Sequence, residues 1–278
     1  MNGADPSRWS SVAAGWAELW GGFAEPAWRA VLDVAGARSG VRVLDVGCGS
    51  GDFLAYCGRL GMVTAGIDPA PGMVELARRG TTDVRLGGAE KLPWSDASFD
   101  LTTSFNALQF AEDTDDALAE MIRVTVPGGY VAVANWAEAS RNDLDAVERA
   151  LDDGPPRPDG DLRVPGGLEE LLTDGGLVDV VEALAEVPWH ASDDKTLLRG
   201  VLLGEHEDTD RAAALLREDA DRAAALGEDA DRAAALGEYA DRAAAVLAAA
   251  RPYRKIGGGY RLVNHFRYAV GRRAAGCG

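Results

Sequence analysis

Val43-Leu44-Asp45-Val46-Gly47-Cys48-Gly49-Ser50-Gly51 is the stretch on which the reading of this chain turns. Val41, Val43, Leu44 and Val46 form a short apolar run, the pattern of a strand covered on both faces of a parallel sheet. It leads directly into Gly47, Gly49 and Gly51, which predict a strand-to-helix turn. Without Cβ atoms such a turn lets the backbone come close to a ligand, and it presents N–H groups at a helix N-terminus. The dinucleotide fingerprint G-x-G-x-x-G would require glycine at 47, 49 and 52, whereas Asp52 holds the last of these positions. The spacing here is G-x-G-x-G, with Asp45 two residues ahead of the first glycine.

Downstream, apolar runs alternate with helix signals. Phe53 to Leu60 predicts a crossover helix and Val63 to Asp68 a second strand, which puts Asp68 at a strand's carboxyl end beside the glycine turn. A carboxylate there can accept both hydroxyls of a ribose, whichever nucleotide ligand carries it. Pro69 to Gly72 turns into a helix starting at Met73. Val84 to Leu86, Leu101 to Phe105 and Tyr130 to Trp136 predict strands three to five, with Asp113 capping a helix to about Val124 and a turn at Val126 to Gly129. Strands alternating with helices in this way give a parallel, doubly wound sheet. Leu177 to Val187 reads as a sixth strand and Tyr260 to Val270 as the last. Upstream, Trp9, Trp16, Trp20, Phe23 and Trp28 recur at roughly helical spacing, the pattern of core packing or of a lid.

Three segments carry a family resemblance: the glycine turn with Asp45, Gly88-Ala89-Glu90-Lys91-Leu92-Pro93-Trp94-Ser95-Asp96-Ala97-Ser98-Phe99-Asp100, and Arg123-Val124-Thr125-Val126-Pro127-Gly128-Gly129. The first resembles motif I of the class I S-adenosylmethionine (SAM) methyltransferases. The second is similar to the "AE-x-LPF…SFD" segment of small-molecule methyltransferases related to those of ubiquinone and menaquinone biosynthesis, and the third resembles their "RVLKPGG" turn. The resemblance is close over about residues 9–136. It implies an α/β, Rossmann-like doubly wound sheet of seven strands, mostly parallel with an antiparallel last strand. One domain would span residues 1–278, with an N-terminal helical cap at 7–38, a SAM-binding core at 41–136 and a helical insertion at 188–258 before the last strand.

The same resemblance implies SAM as cofactor. Gly47, Cys48, Gly49 and Gly51 would lie under its methionyl part with Asp45 orienting it, and Asp68 would take the ribose, with Pro69 and Met73 among the contacts. Ala89 and Glu90 would meet the adenine, Asn106 and Ala107 would border the sulfur, and Trp16 with Trp20 are lid candidates. Gln109 and Trp136 would face the acceptor. His190 is a candidate base on the acceptor side, but no residue is identified as the catalytic base, since His206 lies in an acidic loop and His265 in a predicted strand. Several subclasses lack their residues. The Asn/Asp-Pro-Pro-aromatic motif of nucleobase amino-methylation is replaced by Asn106-Ala107-Leu108-Gln109, Cys48 belongs to the cofactor turn, and Asp100 stands at the wrong end of strand four for metal-dependent catechol chemistry. A small organic acceptor methylated on O, N or C remains. The alternatives are an NAD(P)-dependent oxidoreductase and a SAM-binding protein without turnover.

Bulk properties set further bounds. With 28 Lys+Arg against 45 Asp+Glu, the net charge of −17 repels a phosphate backbone and predicts no nucleic-acid partner. Three cysteines, without metal-ligand spacing, suit a reducing cytoplasm. Met1 to Ser10 has neither a basic n-region nor an apolar core, and no apolar run is long enough for a bilayer, so the expectation is a cytoplasmic protein without membrane contact. Residues 210–246 hold an alanine-rich decapeptide repeat: Asp221 to Ala230 recurs as Asp231 to Ala240 with one change, Tyr239. Ten residues turn a helix by about 1000°, so Leu226, Leu236 and Val246 drift round the axis by about 80° per repeat and form no constant apolar stripe. The repeat reads as a surface duplication, with a partner-binding arm as the alternative.

Overall fold

A computed structural model describes residues 5–81, 83–152, 154–156, 158–203 and 230–275, the side chains of 230–236 excepted. Most of the 210–246 repeat therefore lies outside the described residues. The chain opens with α1 (Pro6–Trp20) and α2 (Glu25–Val34). Pro6 stands at the first turn of α1, where its missing N–H costs nothing, and the Asp5 carboxylate caps the helix by accepting from Ser7 N at 2.9 Å. Then follow β1 (Arg42–Val46), α3 (Asp52–Arg59), β2 (Val63–Asp68), α4 (Pro71–Ala77), β3 (Asp83–Leu86), β4 (Phe99–Phe105), α5 (Thr114–Val124) and β5 (Thr125–Trp136). The second half contributes α6 (Asp143–Glu148), α7 (Gly167–Asp174), β6 (Val178–Glu186), β7 (Trp189–Ala191), α8 (Asp194–Val201), α9 (Ala230–Ala249), β8 (Tyr260–Leu262) and β9 (His265–Arg272).

Seven strands form one sheet in the order β3-β2-β1-β4-β5-β9-β6. The pairs β1–β2, β2–β3, β1–β4 and β4–β5 are parallel, whereas β9 runs antiparallel to both β5 and β6. This is the Rossmann-like architecture anticipated from the alternation of elements. The strand order changes direction between β1 and β4, and the carboxyl ends there form the crevice in which open α/β sheets bind ligands. Val43, Leu44, Leu101 and Val133 are almost completely buried, because helices cover both faces.

The structure corrects the sequence reading in three places. Tyr260 to Val270 is two strands rather than one: β8 leaves the large sheet and pairs with β7 in a separate two-stranded sheet. The break at Val263-Asn264 has a physical cause. Asp143 at the start of α6 accepts from Val263 N at 2.6 Å, and the buried Asn264 Oδ1 accepts from Leu144 N at 2.9 Å, so these two residues serve a helix start instead of a strand ladder. Consequently the segment between β6 and β9 is not purely helical. Last, the expected turn at Val126 to Gly129 lies within β5, where it marks a shift in register against β4 between Phe99 and Leu101. Among the described residues no helix is long and apolar enough to cross a membrane.

Candidate functional site

A cavity of about 310 Å³ opens at the carboxyl ends of β1, β2 and β4, between the glycine turn and the cap helices. Its floor is the stretch that opens the sequence analysis. Gly47 and Gly51 adopt left-handed conformations at φ 75° and 85°, and each is also sterically required. A Cβ at 47 would come 2.2 Å from Ala107 Cβ, and one at 51 would come 2.8 Å from Ala77 of α4. Gly47 and Gly51 therefore bring β1, the loop after β4 and α4 close together.

Four of the turn's N–H groups are engaged within the chain, and the Ser50 amide is left without an internal acceptor at the cavity. Gly47 N and Cys48 N both donate to Ile67 O, at 2.8 and 3.0 Å, and Gly51 N donates to Cys48 O at 3.0 Å. Gly49 N donates to Asp68 Oδ2 at 2.8 Å, while Asp68 Oδ1 accepts from Ala70 N at 2.9 Å. Asp68 thus fixes the turn to the end of β2, lines the cavity, and has acceptor capacity beyond these two bonds. Burial raises its pKa, against the lowering effect of the two amides. Asp45 is 3% exposed and accepts from Thr103 Oγ1 at 2.7 Å. Burial drives its pKa up to about 7; the Thr103 hydrogen bond opposes the shift and the Asp68 charge adds to it.

The walls come from separate elements. Ala89 and Glu90, in the loop after β3, line the side away from the glycine turn, and Glu90 Oε1 accepts from Glu112 N at 2.7 Å, tying that loop to the one after β4. Asn106, held at φ 52°, and Ala107 close the end of β4. Pro69 and Met73 line the α4 side. The roof is aromatic: Trp16 and Trp20 of α1 stack at 5.9 Å, and Trp9 meets Trp16 edge-on at 5.2 Å. Ser104 Oγ is buried against the cavity and has no hydrogen-bond partner.

Of the residues singled out from sequence, Trp16, Trp20, Asp45, Gly47, Cys48, Gly49, Asp68, Pro69, Met73, Ala89, Glu90, Asn106 and Ala107 line this cavity. Gly51 does not; it shapes the turn from behind as the residue preceding α3. Gln109 and Trp136 line a second cavity instead. His190 sits in β7, paired with Arg261 of β8 and exposed, away from both cavities. Burial, followed by the charges of Lys255 and Arg261, lowers its pKa. His265 Nδ1 lies 2.9 Å from Arg141 O, and His206 is outside the described residues. Sequence reasoning missed Phe53, Phe105, Phe110 and Phe266 as wall residues. The last of these comes from β9, more than a hundred residues away in sequence, and only the closed sheet brings it there.

The electrostatics of the lining are one-sided. Asp45, Asp52, Asp68, Glu90 and Glu112 face the cavity, and among the described residues no lysine, arginine or histidine does. With four of the turn amides already engaged, the site provides acceptors and negative charge at one end and aromatic surface at the other. Such a lining suits a ligand that is cationic and partly apolar, and it sets five carboxylates and no basic side chain of the described residues against the diphosphate of a dinucleotide.

Comparison with known proteins agrees with this geometry. Residues 44–133 match the family model described as "Methyltransferase domain". The chain is 35% identical over 124 residues to a malonyl-[acyl-carrier protein] O-methyltransferase of Pectobacterium atrosepticum, covering 44% of this chain and 49% of that protein. It is 38% identical over 111 residues to a demethylmenaquinone methyltransferase of Renibacterium salmoninarum, covering 39% of this chain and 47% of the relative. It thus spans about half the length of the curated relatives it matches. Among solved structures, the YcgJ protein of Bacillus subtilis superposes with a TM-score of 0.53 at 19% identity, covering 90% of this chain and 98% of the other. The [4+2]-cyclase SpnF gives 0.52 at 22% identity, covering 91% and 82%. These two share the fold, and the name of the second shows that the fold alone does not dictate the reaction.

Proposed function

We propose that this chain, which carries a class I methyltransferase domain with its family match at residues 44–133, moves a methyl group from SAM to a small organic acceptor. The observation that carries the proposal is the acidic cavity over the glycine turn, lined among the described residues by no lysine, arginine or histidine. The residues present fit this cofactor. Asp45 is a buried carboxylate with a hydroxyl but no cation beside it, and Ser104 Oγ is a buried hydroxyl still lacking a partner.

In this reading Asp45 and the turn at Gly47 to Gly49 hold the methionyl end, Asp68 the ribose, and Ala89 with Glu90 the adenine. Residues 7–38 serve as the cap and 41–136 as the cofactor core. Bound there, SAM supplies a methyl group on a sulfonium leaving group, so the protein's task is alignment and exclusion of water. The aromatic roof of Trp9, Trp16 and Trp20 keeps water out. No histidine among the described residues lines the cavity, and burial pushes the Cys48 thiol well above its ordinary pKa, so neither supplies a base. Any protein base at this site is one of the carboxylates lining the cavity; otherwise the acceptor arrives already nucleophilic, as a carboxylate, an enolate or phenolate, or a neutral amine. The names of the two relatives, a malonyl-[acyl-carrier protein] O-methyltransferase and a demethylmenaquinone methyltransferase, support such an acceptor, as does the net charge of −17.

Calorimetric titration with SAM, S-adenosylhomocysteine and NAD(H) tests the reading. Binding of the first two, none of the third, and loss of binding in Asp68→Ala are expected. A protein that ignores both adenosyl compounds at millimolar concentration overturns it. Release of S-adenosylhomocysteine in the presence of a metabolite pool then separates turnover from mere binding.

A further inference from the structure

Part of the wall of the cavity over the glycine turn has no task in holding the cofactor. Phe23, in the turn between α1 and α2, and Phe105, at the end of β4, both line the cavity and are both half-buried. Each ring stands on other rings behind it. Phe23 meets Trp20 edge-on at 5.2 Å and Phe266 edge-on at 5.5 Å, and it stacks on Trp136 at 5.4 Å. Phe105 packs on Phe53 at 4.7 Å and lies 6.5 Å from Trp28. Among the described residues no ring contact joins the two groups, so one cavity has two separate aromatic walls.

One charged side chain stands beside these walls. Asp52 opens α3 next to Phe53, is half-buried, and lines the same cavity. Its carboxylate reaches the α1–α2 turn that carries Phe23. A Cβ on Gly21 would come 2.6 Å from Asp52 Oδ1, so it is the glycine at this position that lets the oxygen approach the cap. Oδ2 accepts from Ser50 Oγ at 2.5 Å, and no lysine, arginine or histidine of the described residues lines the cavity to pair with it. Asp45, Asp68 and Glu90 are assigned to the cofactor, whereas Asp52 is not. A half-buried carboxylate without a cation calls for a ligand group that donates hydrogen bonds and carries positive charge, and aromatic faces favour the same charge.

We infer that the methyl acceptor is an amine with a flat hydrocarbon or aryl body, its nitrogen held by the Asp52 carboxylate and its body set between Phe23 and Phe105. The inference rests on the methyl-transfer reading and narrows its acceptor. Charge along the reaction decides among the acceptor classes. A carboxylate, enolate or phenolate would bring one more negative charge among five carboxylates, with no basic side chain of the described residues to balance it. An amine enters as an ammonium, attacks as a neutral amine and leaves as a methylated ammonium, so it is anionic in no state. Its proton passes to the Asp52 carboxylate, and the nitrogen lone pair forms the new bond to the methyl carbon. The carbon–sulfur bond of the cofactor breaks with its electron pair left on sulfur, and Asp52 then gives the proton to water. The product cation still has aromatic faces beside it.

The test uses the full chain and three probes that share a phenethyl body: phenethylamine, 2-phenylethanol and 3-phenylpropanoate. Calorimetry and ligand-observed NMR follow their binding to the free chain and to the chain saturated with S-adenosylhomocysteine. Phenethylamine is expected to bind both forms saturably, the alcohol about tenfold more weakly, and the propanoate not at all. With SAM present, mass spectrometry should find the N-methylated amine as the one methylated probe. Asp52→Asn should weaken phenethylamine about tenfold and reduce the salt dependence of its binding, while S-adenosylhomocysteine still binds and reports a folded cavity. Phe105→Leu is a second variant that keeps every charge, and it should weaken phenethylamine about threefold. Failure of phenethylamine to bind the loaded chain, binding of the alcohol or the propanoate as tight as that of the amine, or wild-type affinity in both variants overturns the inference. A chain that binds SAM but methylates only the alcohol or the propanoate overturns it too, and leaves the methyl-transfer reading standing. If phenethylamine binds the free chain as described while neither adenosyl compound does, the amine site stands as a binding site and the methyl-transfer reading falls.

Discussion

Asp45 shows how one buried carboxyl group links stability to ligand binding. Its pKa of about 7 arises chiefly from burial, against the Thr103 hydrogen bond and with help from the Asp68 charge. A carboxyl whose folded pKa exceeds its ordinary 3.8 favours the folded state only while protonated. Stability from this group is therefore greatest below about pH 4, declines as pH rises to about 7, and then stays level. Asp45→Asn keeps a partner for the Thr103 hydroxyl and removes the buried charge. Its denaturant midpoint should exceed that of the wild type at pH 8, by up to about 4 kcal/mol, and match it near pH 4. Ligand binding has the opposite slope. A cationic ligand favours the carboxylate form, so the wild-type dissociation constant should fall about tenfold per pH unit up to about 7 and then flatten, as read by calorimetry. In Asp45→Asn it should be weaker and nearly independent of pH over that range. A pH-independent wild-type affinity would remove Asp45 from the ligand's environment.

Among elements, the loop that follows β5 is held by charge. Arg267 of β9, 5% exposed, donates to Glu138 Oε2 at 2.6 Å and to Glu182 Oε1 of β6 at 2.8 Å, which joins two strands and the loop between β5 and α6. Removing one member of such a cluster leaves buried charge without compensation. Arg267→Ala should therefore cost about 3–5 kcal/mol in denaturant unfolding, far more than loss of an exposed pair such as Arg79 with Glu75. Burial tends to raise the Glu138 pKa, but hydrogen bonds from Arg141, from its own amide and from Arg267 outweigh it and bring the value down to about 2. Its stabilisation is complete above about pH 4.5 and disappears as pH falls toward 2, so Glu138→Gln should flatten the acid limb of the stability profile in that window. None of this was legible in the sequence, where Glu138, Glu182 and Arg267 are isolated charges far apart. The alternation of strands and helices and the floor of the cavity were legible, because β1, the glycine turn and Asp68 are neighbours in the chain and carry their chemistry in the spacing. The roles of Gln109 and Trp136 were not. Both follow strand ends on the acceptor side, but the backbone turn at Asn106, with its positive φ, directs Gln109 to the neighbouring cavity.

For the molecule as a whole, the cap is not an independent lid. Trp20 lines the cavity on one side and on the other stacks on Trp189 of β7, with ring centroids 4.4 Å apart and planes 9° from parallel. Each indole also donates to the opposing backbone, Trp20 Nε1 to Gly200 O at 3.3 Å and Trp189 Nε1 to Leu19 O at 2.7 Å. The bidentate pair of Arg199 with Glu18 lies beside this clasp, but its carboxylate is 59% exposed and screened by solvent, so the tryptophans contribute most of the attachment. The segment between β6 and β9 therefore holds the roof over the cavity lined by Trp20. Two outcomes follow from that connection. Trp20→Ala opens a void between α1 and α8 and should cost about 3–5 kcal/mol. In hydrogen exchange, adding S-adenosylhomocysteine should slow the amides of α1 and, through Trp189, those of β7 and α8 together, while α6 and α7 are unchanged. In Trp20→Ala the ligand should still slow the glycine turn at 47–51 but no longer β7 and α8. If β7 and α8 stay protected by ligand in that variant, the coupling runs through some contact other than the two stacked indoles.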